Sequence, residues 1–82
     1  MSNEKQKLLN QLNKLHTTQM GAERIKKNLS LKTNDVVNWC KNQIRSNSSK
    51  VTKQGKNWYI INNDCIITVN IYSCTIITAH KK

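Results

Sequence analysis

The chain has 82 residues and a formal net charge of +10, because 14 Lys and Arg are set against only 4 Asp and Glu. A chain of this length forms one small domain, 1–82, which excludes two-domain enzymes, Rossmann-type cofactor domains and barrels. Hydrophobic residues make up 37% of the sequence, with nine Ile and two Trp, so we expect one small core.

Two explanations remain open for the positive charge. Twelve of the 14 cations are Lys, and the chain also has twelve Asn, a composition that an AT-rich genome produces through codon usage. Codon usage does not explain why Asp and Glu are so few. A basic, acid-poor surface attracts phosphate groups and raises their local concentration. We therefore predict RNA as a partner, with an antitoxin or another acidic protein as the alternative.

Apolar residues recur at helical spacing before residue 48. A leucine stripe predicts a first helix that ends near His16. Thr17 or Thr18 is expected to cap a second helix, on which Arg24 lies. Asp35 is expected to cap a third helix. The stripe of the first helix is Leu8, Leu9, Leu12 and Leu15, and that of the third is Val36, Val37, Cys40 and Ile44.

From residue 48 onward, apolar and β-branched residues alternate or cluster as they do in strands. We predict strands at 50–53, 58–61, 65–71 and 74–80. The predicted turns are 54–57, Asn62–Asn63–Asp64 and Tyr72–Ser73. The fold class is therefore α+β: two to three N-terminal helices (1–47) packed on a four-stranded antiparallel sheet (48–82) that forms a meander.

The cysteines indicate no metal chemistry. Cys40, Cys65 and Cys74 are an odd number and lack the close spacing of a zinc site, while His16 and His80 lie far apart in the chain. We predict no metal and no cofactor, and interpret the cysteines as buried, reduced residues of a cytoplasmic protein. The first ten residues are too polar for a signal peptide, and no apolar run has the length of a membrane span.

The groups left for chemistry are imidazole, guanidinium, ammonium and hydroxyl, with no paired carboxylates. This set suits RNA cleavage without a metal, which needs one group to deprotonate the 2′-hydroxyl and another to protonate the leaving oxygen. Imidazole serves in either role, and Arg binds phosphate oxygens in a bidentate manner. In a regular last strand, Thr78 and His80 share one face with Ile76. The predicted catalytic residues are His16, Arg24, Thr78 and His80.

A second set of residues is predicted to bind phosphate or bases. Most of these residues also have a structural interpretation. Lys56 is equally suited to a solvated turn and Thr75 to an ordinary strand, and Trp58 packs in a core more readily than it stacks on bases. The predicted RNA-binding residues are Lys56, Tyr72, Thr75 and Trp58.

Two segments carry a specific pattern of residues. The first includes Leu15–Thr18, Gly21, Arg24–Ile25, Asn28–Leu29 and Asp35–Cys40, and the second includes Gly55–Tyr59, Ile67–Asn70 and Thr75–Lys81. Together they cover nearly the whole chain and resemble a small bacterial family that is known only as a domain of unknown function. This resemblance implies no established activity.

The order of certain residue types along the chain is similar to that in a second, more distantly related set of proteins. A His is followed by an Arg, then by a helix that opens Asp-Val-Val, and finally by a hairpin that ends Thr-Ile-Ile-Thr-Ala-His. This layout is similar to the toxin-type ribonucleases of the barnase, EndoU, colicin and RelE-like group. The resemblance implies metal-free RNA cleavage, with His16 and Arg24 as a helical pair and Thr78 and His80 as a pair on the last strand.

The leading hypothesis is a small, basic, metal-independent endoribonuclease of toxin type. His16 and His80 would share the acid and base roles. Arg24 and Lys56 would hold the scissile phosphate, and Thr78 would orient it. Two alternatives stay open: a non-enzymatic inhibitor from a phage or mobile element that blocks a nucleic-acid-binding or defence protein, and an RNA-binding protein without catalysis.

Overall fold

A computed structural model of the protein describes residues 4–62 and 64–82. These residues form three α-helices and one 3₁₀ helix, followed by four β-strands. The helices are α1 (Glu4–Asn10), the 3₁₀ helix (Leu12–Lys14), α2 (Gln19–Leu29) and α3 (Val36–Arg45). The strands are β1 (Lys50–Gln54), β2 (Asn57–Ile61), β3 (Cys65–Asn70) and β4 (Ile76–Lys81).

The strands form one sheet in chain order, β1-β2-β3-β4, and every neighbouring pair is antiparallel. The predicted α+β arrangement, N-terminal helices followed by an antiparallel meander, is therefore confirmed. The change from helix to strand falls between Arg45 and Lys50, close to the predicted residue 48. The sheet has two edges, β1 and β4.

The core lies between the helices and one face of the sheet. Side chains alternate along the strands, so that Trp58 and Ile60 in β2 face the helices and are 3% and 0% exposed. Ile67 and Val69 continue this face in β3. The helices contribute Leu8, Ile25 and Ile44. Burial of an aliphatic side chain of this size contributes about 1.5–3 kcal/mol, and this apolar layer holds the helices on the sheet.

The helix caps follow the sequence closely. Thr18 Oγ1 accepts a hydrogen bond from Gly21 N at 2.9 Å, and Asp35 Oδ1 accepts one from Asn38 N at 3.1 Å. Of the two threonines predicted for the first cap, Thr18 takes the role. The side chain of Thr17 is directed elsewhere.

The first helix is shorter than predicted. α1 ends at Asn10, and the chain continues as the 3₁₀ helix Leu12–Lys14. The leucine stripe still reaches the core, since Leu12 and Leu15 are 6% and 5% exposed. The tighter winding of a 3₁₀ turn therefore redirects the backbone without losing the apolar contacts.

The first two turns use residue types that tight connections need. Gly55 in the β1–β2 turn has a φ of 60°, which favours glycine. In the β2–β3 turn, Asn62 Oδ1 accepts hydrogen bonds from the backbone N–H groups of Asp64 and Cys65. Asn63, which belongs to this predicted turn, lies outside the described residues.

The connection between β3 and β4 is longer than predicted. β3 ends at Asn70 and β4 begins at Ile76, so Tyr72–Ser73 is not a two-residue hairpin turn. Asn70 Oδ1 accepts hydrogen bonds from the backbone N–H groups of both Tyr72 and Ser73 at 3.0 Å. An Asn side chain thus closes this turn where short hairpins use an Asn-Gly pair.

A β-bulge in β4 changes which side chains share a face. Pairing shifts within the β3–β4 ladder, and Ile77 is the additional residue. The flanking pairs are Val69 with Ile76 and Thr68 with Thr78. Ile76 consequently faces the core, whereas Thr78 and His80 face the opposite side. The prediction that places Ile76 beside them is wrong, because a bulge interrupts the alternation of a regular strand.

The cysteines are buried, as predicted, and the structure shows them as free thiols. Burial raises the pKa of the Cys40 thiol to about 12, since a thiolate would lose its hydration in the core. Burial likewise raises the pKa of Cys65, whose Sγ lies 3.4 Å from Asn62 Oδ1. Both thiols therefore stay protonated at neutral pH and act as small apolar side chains.

One polar contact ties the N-terminal helix to the core tryptophan. The indole N–H of Trp58 donates to Glu4 Oε1 at 3.1 Å. This hydrogen bond to the ionised carboxylate lowers the pKa of Glu4, and Lys7, whose Nζ lies 3.5 Å from Oε2, adds to the effect. The contact provides an acceptor for the indole N–H of Trp58, whose side chain is otherwise surrounded by apolar residues.

We predict that Glu4→Gln destabilises the protein at neutral pH. Because the pKa of Glu4 is lowered on folding, its ionised form contributes stability above the ordinary value of 4.5, and this contribution is lost as pH falls through the folded value below it. Thermal unfolding of the wild type and the variant should therefore differ at pH 7 and converge in acid. Glu23→Gln, with the same charge change on exposed α2, is the control. Equal effects of the two substitutions at pH 7 would contradict the prediction.

Candidate functional site

The face of the sheet opposite to the helices, called here the open face, carries polar and half-buried side chains. Tyr59 and Ile61 are half-buried on this face, next to Trp58 and Ile60 on the core face. One row of residues across the strands is Thr52, Tyr59, Thr68 and Thr78. The next row is Lys50, Ile61, Ile66 and His80. The open face thus combines an aromatic ring, hydroxyl groups and titratable side chains.

His16 lies against the first residues of β4, outside any helix. Its N–H donates to Cys74 O at 3.2 Å, and its carbonyl accepts from Ile76 N at 2.8 Å, which forms a short parallel bridge. Thr17 extends the contact, since its hydroxyl donates to Ile76 O at 2.9 Å. The expected helical pair of His16 and Arg24 is therefore incorrect, because the backbone of His16 is used to extend the sheet.

Gly21 gives Thr17 the space for this contact. A Cβ atom at Gly21 would lie 2.5 Å from Thr17 Oγ1 and 3.1 Å from Thr18 Oγ1. A separation of 2.5 Å is well below van der Waals contact, so any side chain here would displace the Thr17 hydroxyl from Ile76 O. The first turn of α2 is thereby coupled to the position of His16.

The His16 ring belongs to a chain of hydrogen bonds that ends in the β3–β4 turn. Nδ1 lies 3.0 Å from Lys14 O, and Nε2 lies 3.1 Å from the hydroxyl of Thr75. The Thr75 hydroxyl lies 2.8 Å from that of Ser73, which donates to Asn70 Oδ1 at 3.1 Å. These four side chains, His16, Thr75, Ser73 and Asn70, are called here the hairpin-end cluster.

The number of hydrogens in this chain depends on the protonation of His16. Lys14 O is purely an acceptor, and so is Asn70 Oδ1, whose orientation is fixed by the backbone N–H groups that it accepts. Four hydrogen bonds therefore need four hydrogens. The two hydroxyls and a neutral imidazole supply three, whereas an imidazolium supplies the fourth. All four bonds form together only when His16 carries a positive charge.

Two further predicted residues lie at this end of the sheet. Lys56 is exposed in the β1–β2 turn, and its carbonyl accepts from Ile71 N at 2.9 Å. Tyr72, which follows Ile71 in the chain, is 78% exposed. The structure thus gathers four of the predicted residues at one end of the open face: His16, Lys56, Tyr72 and Thr75.

His80 lies at the other end of the sheet. His16 is bonded to Thr75, and residues 75 to 80 of an extended chain span roughly 16 Å at about 3.3 Å per residue. Thr78 lies between them on the open face, opposite Thr68. The predicted sharing of acid and base roles by His16 and His80 is therefore incorrect, because β4 holds the two rings apart.

Trp58 and Arg24 are predicted site residues that lie away from the open face. Trp58 is 3% exposed in the core, so the prediction that it stacks on RNA bases is wrong. Arg24 is exposed on α2, in a shallow cleft with Met20 and Lys27. Among the described residues none forms an ion pair with its guanidinium group, and Glu23 lines the same cleft.

Comparison with known proteins places the chain in a family. Residues 9–80 match the family described as Protein of unknown function (DUF3781). The chain belongs to this family. No curated protein and no solved structure matches it. The prediction of a family of unknown function is confirmed, and the resemblance of this DUF3781 protein to toxin-type ribonucleases stays a prediction.

The described part of the DUF3781 protein consists of residues 4–62 and 64–82. In these ranges no helix combines the length and the apolar character of a membrane-spanning segment. In the same ranges no three side chains of the His, Cys, Asp and Glu types form a group suited to a metal ion.

Sequence reasoning missed two residues of this surface, Asn70 and Ser73. The half-buried Tyr59 is the aromatic ring on the open face, because side chains of adjacent strand residues alternate and Trp58 faces the core. Asn70 and Ser73 complete the hairpin-end cluster. An Asn two residues before a polar turn was the available signal for Asn70, whereas nothing in the sequence joins Ser73 to His16.

We predict that the effect of Gly21→Ala on stability changes sign with residue 17. In the wild type the new methyl group displaces the Thr17 hydroxyl and leaves Ile76 O without its donor, a cost of about 1–3 kcal/mol that exceeds the gain in helix propensity, so the substitution destabilises the protein. In a Thr17→Ala background the clash with Oγ1 is removed, and the higher helix propensity of Ala stabilises by up to about 1 kcal/mol. Urea unfolding of the four proteins measures this coupling. Identical effects in the two backgrounds would contradict it.

Proposed function

We propose that this protein binds single-stranded RNA on its open face and cleaves it without a metal at the hairpin-end cluster. The observation that carries the proposal is the meeting of His16, Lys56 and Tyr72 at one end of an open sheet face in a chain of net charge +10. We also propose a cytoplasmic setting, which suits three free, buried thiols.

Binding follows from the chemistry of the open face. Aromatic rings stack on unpaired bases of any sequence, and Tyr59 and Tyr72 provide such rings on the face and at its end. Lysines attract the phosphate backbone through a salt-dependent interaction, and Lys50 and Lys56 lie at opposite ends of the surface. The hydroxyls of the exposed Thr52 and the half-buried Thr78 are suited to the 2′-hydroxyl groups that distinguish RNA from DNA.

Cleavage is assigned to a single histidine. In its neutral form the His16 ring keeps a proton on Nδ1, facing Lys14 O, and presents Nε2 as the base. Nε2 takes the proton of the 2′-hydroxyl as that oxygen attacks phosphorus, and the bond from phosphorus to the 5′-oxygen breaks. The imidazolium returns the proton to the 5′-oxygen, leaving a 2′,3′-cyclic phosphate and a free 5′-hydroxyl. Lys56 stabilises the charge on the phosphate oxygens.

Thr75 and Ser73 act on His16 as positioning residues. The Thr75 hydroxyl contacts the same Nε2 atom that the 2′-hydroxyl must reach, so RNA replaces it when the base acts. After proton transfer, Nε2 carries the proton that returns to the 5′-oxygen, and the Thr75 hydroxyl resumes its contact with Nε2 once the product leaves. Thr75 and Ser73 therefore set the orientation of the ring before RNA binds.

An acidic protein, such as the antitoxin of a toxin-type ribonuclease, is a second candidate partner. The row Lys50, Ile61, Ile66 and His80 favours it. Two half-buried isoleucines between a lysine and a histidine match a protein surface with apolar and acidic side chains better than they match a nucleic acid. This row lies at the end of the sheet away from His16, so both partners have a distinct part of the open face.

Loss of the exposed Tyr72 ring should weaken RNA binding. Stacking is worth about 1–3 kcal/mol per base, so Tyr72→Ala should raise the Kd for a fluorescein-labelled single-stranded RNA by about 5- to 150-fold in fluorescence anisotropy. Affinity should also fall steeply with salt. Met20→Ala, which removes a similarly exposed side chain (73%) from α2, is the control. The proposal is contradicted if the wild type does not bind RNA, or if Tyr72→Ala and Met20→Ala have equal effects.

Removal of His16 should abolish cleavage, whereas removal of His80 should not. Labelled RNA incubated with the wild type in chelator should yield a 2′,3′-cyclic phosphate product. His16→Ala should reduce the rate by at least about a hundredfold, the usual contribution of general acid–base catalysis. His80→Ala is the matched control, because it removes an exposed imidazole from the other end of the sheet. If RNA binds but stays intact, or if both variants cleave equally, the catalytic part fails and the binding part stands.

A further inference from the structure

A second cleft lies between the helices and the sheet, where β3 begins and β4 ends. Its volume is about 420 Å³, within the size range of small-molecule sites. α2 contributes its last residue, Leu29, and α3 contributes Trp39. The sheet contributes Asp64, Cys65, Lys81 and Lys82. The cleft opens on the helical side of the sheet, because Cys65 and Lys81 pair with each other on the core face.

The lining of the cleft is divided into an apolar part and a charged part. Leu29 and Cys65 are 8% and 2% exposed and form an apolar surface, beside which the half-buried Trp39 ring stands. Lys81, Lys82 and Asp64 are exposed, so two ammonium groups and one side-chain carboxylate form the charged part. A ligand with a flat ring and a negative group matches both parts.

The polar groups of this lining have few partners within the protein. In residues 4–62 and 64–82 no side chain forms an ion pair with Lys81 or Lys82, and neither ammonium group approaches the Asp64 carboxylate within 4.0 Å. In those ranges no atom accepts a hydrogen bond from the Trp39 indole N–H. The cleft is shaped by the backbone, where Lys82 N donates to Asp64 O at 3.0 Å.

We propose that this cleft binds a nucleotide, either free or at the end of a strand. The base would stack on Trp39, since base–aromatic stacking contributes about 1–3 kcal/mol. The phosphate would lie against the two lysines, which bind phosphate as compact point charges. The Asp64 carboxylate is purely an acceptor and suits ribose hydroxyls or an exocyclic amino group. Recognition here uses none of the residues that face RNA on the open face.

The test is to titrate the protein with adenosine 5′-monophosphate, with adenosine and with inorganic phosphate. Binding is measured by calorimetry and by tryptophan fluorescence. Trp39 is half-buried and Trp58 is in the core, so quenching should come from Trp39. The monophosphate should bind more tightly than adenosine by about tenfold or more, the effect expected for one charged hydrogen bond. Inorganic phosphate should bind more weakly than the monophosphate and should leave the fluorescence unchanged.

Two double variants distinguish binding in this cleft from non-specific attraction to the positive charge of the protein. Lys81→Gln with Lys82→Gln should weaken binding of the monophosphate at least about tenfold. Lys7→Gln with Lys53→Gln removes the same charge on α1 and β1, away from the cleft, and should change it less than about twofold. Trp39→Leu should also remove binding in calorimetry, with circular dichroism to check folding.

The proposal is overturned if the monophosphate does not bind at millimolar concentration, if adenosine binds equally well, or if both lysine pairs have the same effect. A short RNA with a 5′-phosphate, compared with the same RNA with a 5′-hydroxyl, identifies the source of the nucleotide. Competition with the free monophosphate indicates a strand end, and its absence indicates a free nucleotide. Tyr72→Ala should leave monophosphate binding intact, so failure of RNA binding on the open face is distinguishable from failure here.

Discussion

The outer edge of β4 is the constraint on which the rest of the structure depends. An edge strand presents backbone N–H and C=O groups that must find partners or invite other chains. Here His16 satisfies Cys74 O and Ile76 N, and the Thr17 hydroxyl satisfies Ile76 O. Asn28, from α2, donates to Ala79 O at 3.3 Å. The segment that protects the edge is therefore the same segment that carries the exposed imidazole.

This arrangement gives His16 a fixed place without burying it. Its backbone is held by two hydrogen bonds to β4, while its ring is held by Lys14 O on one side and the Thr75 hydroxyl on the other. A side chain restrained in this way loses little entropy when a ligand arrives. The stability of the sheet and the chemistry proposed for its end depend on the same few contacts.

Local signals in the sequence were sufficient for the fold class and for the caps. Thr18 and Asp35 act on N–H groups three residues away, so their roles can be read from the sequence itself. The contact between His16 and Thr75 joins residues 59 apart, and no periodicity indicates it. The bulge at Ile77 is equally hidden, because its neighbours read as an ordinary β-branched strand.

The candidate site was therefore predicted in its chemistry more than in its geometry. The sequence indicates which side chains are unusual in a lysine-rich, acid-poor chain, and His16, Lys56 and Tyr72 do lie at one end of the sheet. It does not indicate that β4 separates His80 from them, because that depends on where the N-terminal segment joins the sheet. Trp58 and Tyr59 show the same limit, since a strand pattern gives two faces without saying which one the helices cover.

The opposite edge of the sheet, β1, has a different protection. Its residues are mostly exposed, and it carries Lys50 and Lys53. Like charges on an open edge repel a second copy of the same strand and so keep molecules from joining edge to edge. A polyanion that neutralises these lysines removes this repulsion. Binding of a long phosphate chain would then bring copies of the protein together along it, so occupancy and self-association would rise together.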